Sequence, residues 1–308
     1  MKNYKKNLSP LFVFLLLGTW ANFANADAGN PVACTGSGTT VAEAISDSGN
    51  DLQCLTEPDI YKVKMYEMGL CTAAPTLANM ATACTSVSKI PAGGLITVVK
   101  GADSAIPGTF TRPDNGVYPY GYVILAPEFR ITATKTFTNE LIGQGSAAGD
   151  LTLTGKTCWT LAGTYRDSVP ISPKDNDIAN YLAKCSNDIS PAPGETVTIQ
   201  DAFNGGVITP AAADRQYAFI EGIPVGDAFI SAYLTDSDLA LADTSANVTR
   251  LVAFVTLATP ATITDDSTTF VTSFKVSQGS LLGYSKVDGK DRMTHMGSGP
   301  FMIDISVR

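Results

Sequence analysis

Histidine is almost missing: His295 is the only one in 308 residues. A Ser-His-Asp or Cys-His site would have to be built on it, and zinc, which draws on several nitrogen or sulfur ligands, finds one. His295 lies beside an expected hairpin, where a surface or hydrogen-bonded role is the expectation. No Gly-x-Ser-x-Gly elbow occurs, because "GQGSAAG" (143–149) has the wrong spacing. No glycine loop suited to phosphate is present. Cys-x-x-Cys spacings are absent, which removes the usual thiolate metal knuckles. Tryptophan is limited to Trp20 and Trp159, leaving few broad platforms for a sugar. No apolar run approaches the roughly 20 residues that a membrane-spanning helix needs.

Positive charge is scarce as well. Lys and Arg number 21 against 29 Asp and Glu, a net charge of −8. An acidic surface repels phosphate backbones and anionic lipid heads, so nucleic acid and membrane surfaces are excluded as expected partners.

What is present begins at the start of the chain. Lys2, Lys5 and Lys6 precede the apolar run "PLFVFLLLGTW", and Ala24-Asn25-Ala26 supplies small residues at a cleavage position. This is the layout of a secretory signal peptide over 1–26, with cleavage expected after Ala26. Cys34, behind Pro31, is too far downstream for a lipid anchor. Removing the three lysines leaves 18 basic residues against 29 acidic ones, a net −11 on the exported chain. The expected location is periplasm, cell surface or extracellular space, with no membrane insertion of the mature chain.

Six cysteines follow the signal: Cys34, Cys54, Cys71, Cys84, Cys158 and Cys185. An even count behind an export signal points to disulfides. Fifteen pairings are possible for six cysteines. Pairing sequence neighbours is the simplest: Cys34–Cys54, Cys71–Cys84 and Cys158–Cys185, with "CTAAPTLANMATAC" as one loop stapled at its base.

"YKVKMYEMGLC" (61–71) alternates Tyr61, Val63 and Met65, then changes phase to Tyr66, Met68 and Leu70. A long strand with a bulge near Met65–Tyr66 accounts for the switch, since one extra residue turns every later side chain to the other face. Similar segments recur at 118–137, 150–165, 248–264 and 268–287. Asn204-Gly205-Gly206 and Asp288-Gly289 are hairpin signals. Ten to fourteen short strands imply an all-β fold of sandwich or jelly-roll type. Short helices are expected at 39–48 and at "SPKDNDIANYLAKC" (172–185), where Ser172 caps and Pro173 takes the first turn. The expected organisation is an extension over 27–56 tied by a disulfide, then one large sandwich over 57–308 with a seam near "SPAPGE" (190–195).

Three groups of residues are functional candidates. "TDSDLALAD" offers Asp236, Asp238 and Asp243 to a hard cation such as Ca²⁺, although the spacing is not that of an EF-hand. Asp175/Asp177 and Asp265/Asp266 are the other carboxylate pairs. All of these are alternatively solvated turn acids, and a hydrolase built on Asp175 and Asp177 ranks last. Tyr118, Tyr120 and Tyr122 alternate along one strand and form either a stripe for a glycan or protein partner, or half-buried sheet packing. Phe301, Ile303, Ile305 and Val307 line one side of the last strand.

The signal peptide, the Thr/Val-rich strands and the strand Phe301–Val307 together resemble secreted jelly-roll subunits of bacterial extracellular filaments. In those proteins neighbours exchange a strand. The resemblance implies a non-enzymatic structural or adhesive subunit that polymerises with itself, with "FMIDISVR" entering a neighbour's open sheet edge. The alternative for that segment is closing its own sheet. The alternative function is a surface module for a glycan or another protein.

Overall fold

The computed structural model describes residues 32–34, 51–100, 106, 108–143, 153–166, 183–188, 190–199, 230–267, 269–287, 290–299 and 301–307. The expected signal peptide, the expected helix at 39–48, the Asn204-Gly205-Gly206 hairpin and most of the expected helix at 172–185 lie outside them.

The fold is all-β and sandwich-like. Its strands are β1 (Val32–Ala33), β2 (Asp51–Thr56), β3 (Ile60–Cys71), β4 (Cys84–Val99), β5 (Thr109–Phe110), β6 (Gly116–Thr132), β7 (Thr134–Gly143), β8 (Leu153–Thr160) and β9 (Gly163–Arg166). They continue with β10 (Ala183–Ser186), β11 (Thr196–Ile199), β12 (Ile230–Thr235), β13 (Arg250–Ile263), β14 (Phe270–Lys275), β15 (Ser280–Val287), β16 (Lys290–Ser298) and β17 (Met302–Val307). Among the described residues, helix is confined to one turn at Met80–Ala83 and a 3₁₀ turn at Ser245–Asn247.

The larger sheet runs β12-β13-β6-β3-β4-β5. On one edge of the long β6, β13 pairs along Gly116 to Leu125 and β11 along Glu128 to Ile131; β9 then pairs with β11. The second sheet runs β1-β2-β15-β16-β7-β8-β10, so β2 lies inside it between β1 and β15. Residues 190–195 belong to the crossover from β10 in this sheet to β11 in the larger one. Val287 pairs directly with Lys290 in an antiparallel β15–β16 pair, and Asp288-Gly289 themselves lie outside the described residues.

β3 carries the bulge that its alternation foretells. Its register with β6 slips between Met65 and Glu67, leaving Tyr66 as the extra residue. Tyr61, Val63 and Met65 are buried before the slip, Met68 and Leu70 after it. β6 answers with its own bulge: Val63 pairs with Phe129 but Met65 with Leu125. Pro127 sits in that gap, where its missing N–H costs no ladder bond.

One buried cluster fills the space between the sheets. It takes Tyr61, Val63, Met65, Phe129 and Ile131 from the larger sheet and Leu141, Cys158, Leu282, Met293 and Met296 from the smaller one. A second cluster of Cys71, Tyr122, Ile124, Val252 and Phe254 lies apart from it, with Leu77 and Met80 of the Cys71–Cys84 loop packed on it.

The expected helix is corrected at its end. Ala183–Ser186 is strand β10, antiparallel to β8, with Cys185 opposite Cys158. Pairing with β8 supplies ladder bonds to this backbone and buries Ala183 and Cys185, outweighing the local 3.6-residue pattern.

Candidate functional site

The disulfides join Cys34 to Cys54, Cys71 to Cys84 and Cys158 to Cys185, the pairing of nearest neighbours in sequence. Each ties adjacent strands of one sheet. Cys71 and Cys84 are register partners across β3 and β4, and Cys158 and Cys185 across β8 and β10. Cys34 follows β1, and its N–H donates to the carbonyl of Leu55 beside Cys54. With all six cysteines paired, none offers a thiol to chemistry.

The tyrosine row is not an exposed stripe. Tyr118 is buried in the main core, and its hydroxyl donates to the Asp114 carbonyl at 2.9 Å. Tyr122 is buried in the second cluster, with Tyr120 half-buried against it. The register between β6 and β13 is irregular between Tyr120 (opposite Thr256) and Tyr118 (opposite Ala261), where the row divides between clusters. The Tyr122 hydroxyl donates to Glu67 Oε1 at 2.7 Å. Burial, followed by this bond to a carboxylate, raises its pKa far above the ordinary phenol value. The ring lies across Gly69, its register partner on β3, where a Cβ would overlap both the ring and the Thr85 carbonyl.

In the acidic loop, one carboxylate oxygen each of Asp236 and Asp243 is bonded locally. Asp236 Oδ1 accepts from the backbone N–H of Asp238 (2.9 Å) and Ala240 (3.0 Å), an Asx-type turn. Asp243 Oδ1 accepts from Asn247 Nδ2. Asp238 is exposed. No group of three or more His, Cys, Asp or Glu side chains that could hold a metal ion occurs among the described residues. Asp265 Oδ1 accepts from Asn115 Nδ2 at 2.7 Å, and Asp266 is exposed. Asp175 and Asp177 lie outside the described residues. His295 sits in β16 opposite Gly283.

The last strand forms its own small unit. β17 pairs antiparallel with β14 from Val307 opposite Phe270 to Met302 opposite Lys275, which places Ile303 opposite Phe274 and Ile305 opposite Thr272. Among the described residues these two strands are a separate two-stranded sheet. Phe301, just before β17, is its anchor: its ring centroid lies 5.6 Å from Phe129, 6.0 Å from Tyr61 and 6.5 Å from Phe274. Tyr61 is fully buried, and its hydroxyl points to the Gly299 carbonyl at 3.5 Å, at the outer limit of a hydrogen bond. Burial holds its pKa well above the ordinary value. Val307 is half-buried against the same core.

Two features escape a sequence reading. Glu195 takes Lys62 Nζ on one oxygen and Arg130 on the other at 3.0 Å, while Arg130 also pairs with Glu128. Lys62 and Arg130 are neighbours only through the register of β3 on β6. These bonds, that from Lys62 foremost, hold the Glu195 carboxyl below the usual carboxylate range. The other feature is the run Ile90–Val99, whose signal is ten residues without a charge.

No helix among the described residues is long and apolar enough to cross a membrane. No family model matches the chain, and no curated protein and no solved structure matches it.

Proposed function

We propose that this chain is a secreted, non-enzymatic structural or adhesive subunit of the cell surface or extracellular space that self-assembles by passing β17 to a neighbouring copy. The observation that carries this reading is the β14–β17 unit, in which one short strand has a single paired partner, β14, and docks on the core through Phe301 and Val307. A β17 arriving from a second copy makes the same register with β14 and sets the same Phe301 ring among Tyr61, Phe129 and Phe274. The closed and exchanged forms therefore contain the same contacts, which is the condition for a domain swap. High concentration favours exchange, because the closed form is an intramolecular pairing. Disulfide-tied sheets and the expected export signal fit a protein that works in an oxidising compartment.

Negative-stain electron microscopy of the exported protein, with and without Ca²⁺, tests this. Filaments are expected from the full chain and not from a variant ending at Pro300. Because the shortened chain loses Phe301 from its core, a second variant, Ser273→Cys with Asp304→Cys, crosslinks the register partners of β14 and β17 inside one copy. It is expected to stay folded and monomeric when oxidised and to polymerise when that added bond is absent. Uniform small particles in every preparation sink the proposal. Mass spectrometry of the exported protein, with a first residue of Asp27 expected, checks secretion separately.

A further inference from the structure

Where β15 begins and β16 ends, two buried serines face each other. Ser280 and Ser298 are register partners in the antiparallel β15–β16 pair. The Ser298 N–H donates to Thr198 Oγ1 of β11 at 3.0 Å, and the Gly299 N–H donates to the Gly279 carbonyl at 2.8 Å. The backbone bonds therefore flank the serine pair rather than join it. In such a pair the opposite Cα atoms are about 4.5 Å apart and the side chains lie close. Two residues further along each strand, Leu282 and Met296 are opposite each other and belong to the core cluster. Side chains two apart on a strand share a face, so both serines point between the sheets. Ser280 is 0 % and Ser298 5 % exposed. Neither hydroxyl has a hydrogen-bond partner among the described residues, and neither does Gln278 Oε1, which is also buried. Buried polar atoms are ordinarily satisfied by protein groups or by ordered water.

We propose that Ser280 and Ser298 form a binding site for one internal water, held between the two sheets at the end of β16. The groups present select a neutral ligand that both donates and accepts. Each serine hydroxyl gives one proton and accepts on two lone pairs, whereas Gln278 Oε1 only accepts. Thr198, 3 % exposed, accepts the Ser298 N–H and keeps its own proton to give. A water meets such a set, since internal waters typically make about three hydrogen bonds to buried polar groups. A cation does not suit it, because these side chains include no carboxylate to offset a buried charge. An apolar ligand leaves the hydroxyls unpaired. Thr198 stands on β11, which pairs with β6 of the larger sheet, while the serines belong to the smaller sheet. The water thus extends a polar link between the layers, beside the Gly279 and Gly299 backbone on which Tyr61 packs. The site is complete within one copy and does not depend on exchange of β17.

Magnetic relaxation dispersion of the water nuclei counts internal waters of long residence. The exported full chain is expected to hold one more than its Ser280→Ala, Ser298→Ala double variant. A crystal structure that resolves ordered waters is expected to show one within hydrogen-bond reach of both hydroxyls. Equilibrium unfolding in urea adds a test of sign. Each single alanine change is expected to lower the ratio of folded to unfolded protein about fivefold, the worth of one ordinary hydrogen bond. The double variant is expected to lose less than the two single losses combined, because both remove the same water. Each change deletes one oxygen and leaves the backbone ladder in place, so native circular dichroism is expected throughout. If the hydroxyls hold no water, alanine relieves their desolvation cost, and the variants are as stable as wild type or more stable. That result overturns the proposal. So does an equal count of internal waters in wild type and double variant, and so does a map in which the two hydroxyls bond directly to each other.

Discussion

Replacing Phe301 by alanine removes the side chain that docks β17 on the core. Phe301 is 4 % exposed and touches three other rings. An aromatic side chain buries on the order of 150–250 Å². With about 25 cal/mol per Å², losing most of that area costs about 3 kcal/mol. Ring–ring contacts and the cavity left among Tyr61, Phe129 and Phe274 raise the expected loss to about 4 kcal/mol, inside the usual range for Phe→Ala in a core. The assay is equilibrium unfolding in urea under non-reducing conditions, followed by tryptophan fluorescence and far-UV circular dichroism together. The midpoint is expected to fall with the slope unchanged. Phe301→Leu, which fills most of the space, should recover more than half of the loss. A loss under about 1 kcal/mol for the alanine variant refutes the reasoning, because a plug that can be removed so cheaply does not hold β17 on the core.

Removing the Cys71–Cys84 bond by a double change to alanine frees a loop with a sequence separation of 13 and is expected to cost about 3 kcal/mol in the same unfolding assay. Glu195→Gln breaks its ion pairs with Lys62 and Arg130 and is expected to cost about 1 kcal/mol at neutral pH, given their partial exposure. The folded pKa of Glu195 is depressed, so its contribution is present above the unfolded carboxyl value and is lost as pH falls through the folded one. Wild type and Glu195→Gln are therefore expected to converge in stability at acid pH, and a constant gap from neutral to strongly acid pH refutes the assignment. Gly155→Ala, whose Cβ would overlap the Ser186 backbone on the neighbouring β10, is expected to lower the melting temperature and expose the Cys158–Cys185 bond to reductant. An unchanged melting temperature refutes that.

How much of this was legible before the structure varies with the kind of signal. The bulge in β3 is readable because alternation changes phase at Met65–Tyr66, and phase is a local property. The disulfides are readable because neighbouring strands bring neighbouring cysteines together. Tyr118, Tyr120 and Tyr122 share a spacing of two, but period says nothing of which face is covered or where the partner strand slips. Ala183–Cys185 read as helix because i, i+3 and i+4 spacing is visible in a sequence while pairing with β8 is not. The Lys62–Glu195–Arg130 network depends on one cross-strand register and one crossover between sheets, neither of which any window of sequence contains. The last strand shows its alternation plainly, yet its partner β14 is known only from the fold.

The placement of the disulfides sets how this fold would respond to tension. In the smaller sheet one bond ties β1 to β2 and another ties β8 to β10, the two opposite margins of that sheet. A sheet pulled across its strands tears from its margin, one hydrogen bond after another, as a zipper opens. Here covalent bonds stand at both places where tearing starts, while no disulfide crosses between the layers. Under tension the sheet is reinforced at its hems, and the weaker direction is separation of the layers, which no disulfide bridges.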